Sequence, residues 1–153
     1  MALSPPTSEP NLPSLAPLGV ALALCAALGS AGAYATSLAA GWGPAPAASS
    51  AVVLAALVVL AGIITGLTLL ALVLARGASI FAAAVIAAGI ARTLISLSLG
   101  VVVLFTIAPE GKAFWSAFLA ANLLCLFAET AWGIAVNQRV HRVSHPARTG
   151  AAA

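Results

Sequence analysis

Two ionisable side chains, Arg92 and Glu129, lie far from any polar stretch of this sequence. Within apolar segments, an arginine and a glutamate can form an ion pair, contact a partner subunit or hold a translocated cation. An unpaired charge in hydrocarbon is expensive, so each side chain is expected to face a partner, a wet cavity or the lipid headgroups. These two residues are therefore the first candidates for chemistry.

Polar residues accompany both charges at helical spacing. Ser96 follows Arg92 by one turn, and Asn122 and Cys125 precede Glu129 on one stripe of a helix. The first interpretation is a structural salt bridge that fixes the register of two helices. The alternative is that one or both charges contact a partner subunit or a translocated cation.

The geometry of antiparallel helices favours this pairing. Side chains lean toward the N-terminus of their own helix, so Arg92 and Glu129 lean toward each other if the third span runs outward and the fourth inward. Counted from the nearest loops, their backbones differ in depth by roughly 7 to 10 Å, which an extended arginine and glutamate could nearly close.

Other reactive residue types are sparse. The chain has three acidic residues and no Ser/His/Asp set, glycine-rich phosphate loop or paired carboxylates. His141 and His145 stand among arginines, in a tail typical of binding to anionic headgroups rather than to a metal. Cys25 and Cys125 show no CxxC spacing. We expect no enzyme active site, no cofactor and no metal site.

The elements that position the charges are apolar helices. Of the 153 residues, 63% are hydrophobic and 6% are charged, whereas soluble domains carry about a quarter charged residues. A helix that crosses about 30 Å of hydrocarbon needs roughly 20 apolar residues. Four stretches have this length: 15–40, 52–75, 78–107 and 114–136. The sequence therefore predicts an all-α bundle of four transmembrane helices in a lipid bilayer.

The predicted organisation is a disordered N-terminal tail (1–14), a transmembrane domain (15–137) and a basic C-terminal tail (138–153). Basic residues favour the cytoplasmic side, and the two loops opposite the termini hold Lys112 as their only basic residue. Both termini are therefore expected in the cytoplasm, with Trp42 and Trp115 at the outer interface. A net charge of +3 without a basic face gives no indication of nucleic-acid binding.

Two alternatives concern individual spans. Residues 15–35 also admit a cleaved signal peptide, because Ala33-Tyr34-Ala35 resembles a cleavage site, although the flank before them lacks Lys and Arg. Residues 78–107 would form a helix of about 45 Å, longer than the hydrocarbon is thick. A break at Gly89 would leave Arg92 near the cytoplasmic headgroups, where it would snorkel instead of pairing.

Small residues predict where helices approach each other closely. Gly62 and Gly66 form a Gly-xxx-Gly face on the second span, and Gly29, Gly32 and Ala33 form a similar face on the first. We interpret both faces as contacts between helices in preference to the lining of a transport pathway.

Motifs around the two charges resemble the ATP synthase protein I family, namely Gly89-Ile90-Ala91-Arg92 and Leu126-Phe127-Ala128-Glu129-Thr130. The resemblance covers residues 52–137. It implies a small four-helix protein of the bacterial inner (plasma) membrane that associates with F-type ATP synthase and helps to assemble its c-ring. It marks Arg92, Glu129 and Thr130 as family-like positions. Magnesium or calcium transport has also been suggested for this family.

The expected function is a non-enzymatic assembly factor that docks c subunit or other membrane helices, with Arg92 and Glu129 shaping the docking groove. The alternative is a small transporter of Mg²⁺ or Ca²⁺, or a proton-coupled one, that uses Glu129. Four-span exporters of similar size keep their essential glutamate in the first span, where this chain has none. A pore-forming lysis protein fits the size but gives no reason for a buried arginine. A homo-oligomer stays open.

Overall fold

A computed structural model of the chain describes residues 14–75, 81–107 and 109–144. They form four helices: α1 (Ala16–Ala39), α2 (Ala45–Leu74), α3 (Phe81–Ile107) and α4 (Gly111–Ser144). Each is long and apolar enough to cross a membrane, which takes about 20 residues. The predicted all-α, four-transmembrane-helix fold is confirmed, and the chain is a multi-pass membrane protein. Most of the predicted N-terminal tail and the end of the basic tail lie outside the described residues.

Two helices extend beyond their predicted bounds. Helix α2 begins at Ala45 rather than at 52, with Pro46 in its first turn, where the missing N–H of proline leaves no hydrogen bond unmade. Helix α4 continues to Ser144, past the predicted end at 136. Gln and Arg are good helix formers even where they are unsuited to hydrocarbon, so the apolar stretch ends before the helix does. The first part of the predicted basic tail is therefore helical.

Helix α3 is continuous through Gly89, so the break considered at that residue is wrong. An isolated glycine is tolerated in a membrane helix, because hydrocarbon offers the backbone no competing hydrogen-bond partner. The helix is about 40 Å long at 1.5 Å per residue. Arg92 consequently lies near the middle of a single helix instead of at the start of one.

The turn between α1 and α2 contains two glycines in the left-handed region, Gly41 at φ 64° and Gly43 at φ 86°. Side chains with a Cβ are strained there. A Cβ at Gly43 would lie 3.5 Å from Oε2 of Glu110, which precedes α4. The α1–α2 and α3–α4 connections are thus at the same end of the bundle, as are Trp42 and Trp115. Which side of the membrane this end faces stays a prediction.

Helices α1 and α4 pack together most extensively, whereas α3 and α4 pack least of the five helix pairs that share a substantial contact. A Cβ at Gly29 would lie 2.7 Å from the backbone N and Cα of Ala121, so the α1 and α4 backbones meet closely at this glycine. A Cβ at Gly32 would meet no atom within 4 Å. Of the two glycines predicted on the α1 face, Gly29 therefore makes a close helix contact and Gly32 does not.

The Gly-xxx-Gly face of α2 packs against α3. A Cβ at Gly62 would overlap Oγ of Ser96, and a Cβ at Gly66 would lie 3.0 Å from Cβ of Arg92. Because neither glycine has a side chain, Ser96 and Arg92 of α3 pack directly on the backbone of α2. This contact fixes the rotation of α3 and hence the direction of its arginine.

Candidate functional site

Arg92 is the largest fully buried side chain of the described residues, with 1% of its surface exposed. Its aliphatic stem lies on Gly66 of α2, and its guanidinium reaches α4. A guanidinium cannot release its proton in a protein, so burial requires acceptors around it. The structure provides these acceptors on α4.

Glu129 is the main acceptor. Its Oε1 lies 2.9 Å from Nε of Arg92, and its Oε2 accepts a hydrogen bond of 3.3 Å from Nη2. The Nε–H makes no hydrogen bond. The contact at 2.9 Å is therefore a charge–charge attraction, which depends on the distance and not on the direction of the N–H. The side-on arrangement joins α3 to α4 within the apolar part of both helices.

Asn122 is a third member of the cluster. Its Oδ1 accepts a hydrogen bond of 3.4 Å from Nη1 of Arg92. Its Nδ2 donates to the backbone carbonyl of Phe118, 2.9 Å away, and this bond holds the amide so that its oxygen faces the arginine. Asn122 and Glu129 share a stripe of α4 at helical spacing, and the structure brings them to one guanidinium.

Ser96 and Cys125 lie beside Arg92. Ser96 is fully buried on the face of α3 that packs against α2, the same face as Arg92, as its spacing predicts. Its Oγ has no hydrogen-bond partner among the described residues. Cys125 lies at the α1–α4 contact, with its Sγ 3.5 Å from the carbonyl oxygen of Leu22, and its side chain also interacts with Arg92.

The paired charges lie inside the candidate membrane spans of their helices, Ala83–Ile107 and Gly111–Gln138. Nε of Arg92 and Oε1 of Glu129 are 2.9 Å apart, so the two side chains close whatever difference in depth separates their backbones. Arg92 pairs with Glu129 while 1% of its own side chain is exposed, which agrees with the first interpretation of the two charges. The depth of the pair in a bilayer stays a prediction.

A groove of about 540 Å³ opens between α3 and α4 at the end of the bundle where α3 begins and α4 ends. Its walls are mostly branched apolar side chains, several of them more than half exposed: Ile86, Ile90, Leu94 and Ile134. Glu129 lies in the groove with 14% of its side chain exposed. The ion pair thus has one side in the protein interior and one side in a groove that opens to the bilayer.

Beside Glu129, Gly89 and Thr130, three groove residues with polar or small side chains were not connected to the charges by the sequence: Thr93, Gly133 and Asn137. Thr130 was predicted as a family-like position, and its hydroxyl donates to the carbonyl of Leu126 at 2.8 Å. Gly133 and Asn137 follow Glu129 by four and eight residues, which is the spacing of one helix face. That spacing is a signal that could have identified this wall of the groove from the sequence.

Gly89 leaves the carboxylate accessible from the α3 side. A Cβ at this position would lie 3.1 Å from Oε2 of Glu129, tighter than an ordinary contact between carbon and oxygen. The glycine of the motif Gly89-Ile90-Ala91-Arg92 therefore provides space for the partner of the arginine three residues later. It does not interrupt the helix.

This arrangement can accept a further hydrogen bond at the base of an apolar groove. The guanidinium neutralises Glu129, which keeps the cluster tolerable in hydrocarbon, and the carboxylate retains free acceptor positions. Comparison of the chain with protein-family models, with curated proteins and with solved structures found no match.

Proposed function

We propose that this protein is a non-enzymatic membrane protein that receives a transmembrane helix of a partner in the groove between α3 and α4. The observation that carries the proposal is the combination of exposed apolar walls with a neutralised ion pair at their base. Lipid tails can solvate apolar walls, but they offer no hydrogen-bond donor to a carboxylate. A protein helix can supply both the apolar contact and the donor.

The weak contact between α3 and α4 supports a docking role. Of the five helix pairs that share a substantial contact, these two pack least, although Arg92 and Glu129 connect them. Within membranes, helices associate through close van der Waals packing and hydrogen bonds because the lipid supplies no hydrophobic drive. A helix laid into the groove would supply the packing that this side of the bundle leaves unmade.

The resemblance of the motifs around Arg92 and Glu129 to ATP synthase protein I suggests the partner. We propose that it is the c subunit of F-type ATP synthase, and that the process is assembly of the c-ring in the bacterial inner membrane. The motif glutamate lines the groove and the motif arginine pairs with it from the protein interior, which supports a shared role for these positions.

Photo-crosslinking in native membranes tests the proposal. A benzoylphenylalanine is placed at Ile90, in the groove, or at Leu57, on the outer face of α2; both side chains are 57% exposed, so their access to lipid is matched. We expect an adduct with c subunit from Ile90 and not from Leu57. Equal adducts from both positions, or an adduct from neither, would contradict docking in the groove.

A deletion strain tests the proposed process separately. We expect a reduced yield of c-ring without this protein and recovery when the wild-type chain is returned on a plasmid. An unchanged c-ring yield would leave the protein without a role in assembly, even if it contacts c subunit.

A small transporter of Mg²⁺, Ca²⁺ or protons through Glu129 is the second candidate, favoured by the exposure of that carboxylate in the groove. Against it, Arg92 already neutralises Glu129 at 2.9 Å, and a bound cation would have to compete with a fixed positive charge. We expect proteoliposomes of the full chain to take up none of these ions above the protein-free background. Uptake that disappears in the double variant Arg92→Met/Glu129→Met would favour transport instead.

A further inference from the structure

The carboxylate of Glu129 has acceptor positions that Arg92 does not fill. An ionised carboxylate offers about four acceptor sites on its two oxygens, and the side-on guanidinium contacts each oxygen once. The remaining sites lie toward the groove, where 14% of the side chain is exposed. The absence of a Cβ at Gly89 leaves Oε2 uncovered from α3.

The groove itself supplies no donor to these sites among the described residues. The hydroxyls of Thr93 and Thr130, which flank the carboxylate, donate to the backbone carbonyls of Gly89 and Leu126 at 2.9 and 2.8 Å. The amide of Asn137 lies eight residues along α4, about 12 Å away. None of these groove residues fills the remaining acceptor sites, and unsatisfied polar groups are costly in hydrocarbon. A donor on an occupant of the groove would therefore be stabilising.

Charge determines which kind of donor fits. Arg92 and Glu129 together are neutral, so a lysine or arginine on the occupant would leave a net positive charge in the membrane, and an ionised acid a net negative one. A hydroxyl or an amide donates a hydrogen bond and adds no charge. The exposed isoleucines and leucines of the walls require that the rest of the occupant be apolar.

We infer that the helix bound in this groove carries a neutral hydrogen-bond donor, such as Ser, Thr, Asn or Gln, opposite Glu129. This inference rests on the proposed helix-docking function and specifies its partner. The donor lies within the apolar part of the partner helix, because Glu129 lies inside the candidate membrane span Gly111–Gln138. Glu129 therefore favours membrane helices that carry such a donor, and the apolar walls of the groove contact the rest of the bound helix.

A pair of designed peptides tests this inference without c subunit. The purified full-length protein is reconstituted in phosphatidylcholine vesicles with dilute Leu/Ala transmembrane peptides that differ only in a central Asn or Leu. Energy transfer from the tryptophans of the protein to a dansyl group on the peptide measures association. We expect the Asn peptide to bind about tenfold more tightly, which corresponds to about 1.4 kcal/mol for one interhelical hydrogen bond.

Two glycine substitutions locate the binding. Gly89→Ala adds a methyl group 3.1 Å from Oε2 of Glu129 and changes no charge, so it should reduce binding of the Asn peptide to the level of the Leu peptide. Gly32→Ala makes the same change on α1 where no atom lies within 4 Å, and it should leave the preference intact.

The outcomes separate the inference from the proposed function. Equal binding of the two peptides to the wild-type protein would overturn the inference, as would a preference for Asn that survives Gly89→Ala. Neither result bears on whether Ile90 crosslinks to c subunit in native membranes. Conversely, loss of that crosslink with a retained preference for Asn would remove c subunit as the partner and keep the donor requirement.

Discussion

Replacing the ion pair by methionines, singly and together, measures what Arg92 and Glu129 contribute to the fold. Methionine keeps the Cβ and Cγ atoms by which Arg92 packs on Gly66, where a Cβ on the glycine would lie 3.0 and 3.5 Å from them. Arg92→Met therefore removes the charge and spares that contact. Glu129→Met removes the carboxylate and leaves the guanidinium buried with Asn122 at 3.4 Å as its remaining acceptor. The double variant removes both charges.

The magnitude follows from the separation of the charges. Opposite charges 2.9 to 3.3 Å apart attract by about 5 to 6 kcal/mol at an effective dielectric constant of about 20. Breaking a buried pair by removing one partner is typically destabilising by about 3 to 5 kcal/mol. We expect each single variant to lose stability in this range. The double variant should fall within about 1 kcal/mol of the wild type, because it leaves no unpaired charge.

Unfolding in mixed detergent micelles, followed by tryptophan fluorescence or circular dichroism, gives the three free-energy differences. Leu94→Met, at a groove residue that is 58% exposed, controls for the introduction of methionine. The reasoning is refuted if both single variants unfold within about 1 kcal/mol of the wild type, because that outcome requires water or headgroups at Arg92 in place of Glu129.

Further substitutions probe packing and topology. Gly62→Ala, whose Cβ would overlap Oγ of Ser96, should destabilise the protein by about 1 to 3 kcal/mol in the same unfolding assay. Ser96→Ala should recover part of that loss, while the open position Gly32→Ala stays neutral. Gly29→Ala should be more damaging than Gly62→Ala, because its Cβ would meet backbone at 2.7 Å and backbone cannot rotate away; equal effects would contradict this ranking. A cysteine at Ala45, an exposed residue beside the α1–α2 turn, should react with an impermeant maleimide from the outside of intact cells. Reaction only after lysis would reverse the predicted orientation.

The fold could be predicted from the sequence because hydrocarbon imposes a length on every span. Four apolar stretches of sufficient length lead to four helices, and the structure has them. Helix α2 begins before its predicted start, because the alanines and serines after Pro44 can form a helix but are not apolar enough to indicate a membrane span. Helix α4 ends after its predicted end, because charged residues indicate where the hydrocarbon ends and do not indicate where a helix ends.

The candidate site could be predicted in part. The types of Arg92 and Glu129 and the lean of their side chains indicated a pair, and the pair is present. The face of α3 that Ser96 shares with Arg92 follows from their spacing. The contact of Ser96 with Gly62 could not be predicted, because it depends on how α3 is rotated against α2. The groove could not be predicted either, since it results from how little α3 and α4 touch, and no local pattern encodes the separation of two helices.

The unequal burial of the two charges explains why Glu129, rather than Arg92, faces the groove. A guanidinium has donors on all sides and keeps its charge, so it is tolerated in hydrocarbon only when protein acceptors surround it; Arg92 is 1% exposed. A carboxylate held by that guanidinium has its charge compensated and still presents acceptor sites. Pairing therefore makes Glu129 a hydrogen-bond acceptor within a neutral ion pair, and a hydroxyl or an amide on another helix can donate to it. If Arg92 faced the groove instead, the groove would present unused hydrogen-bond donors and the carboxylate would be the buried group.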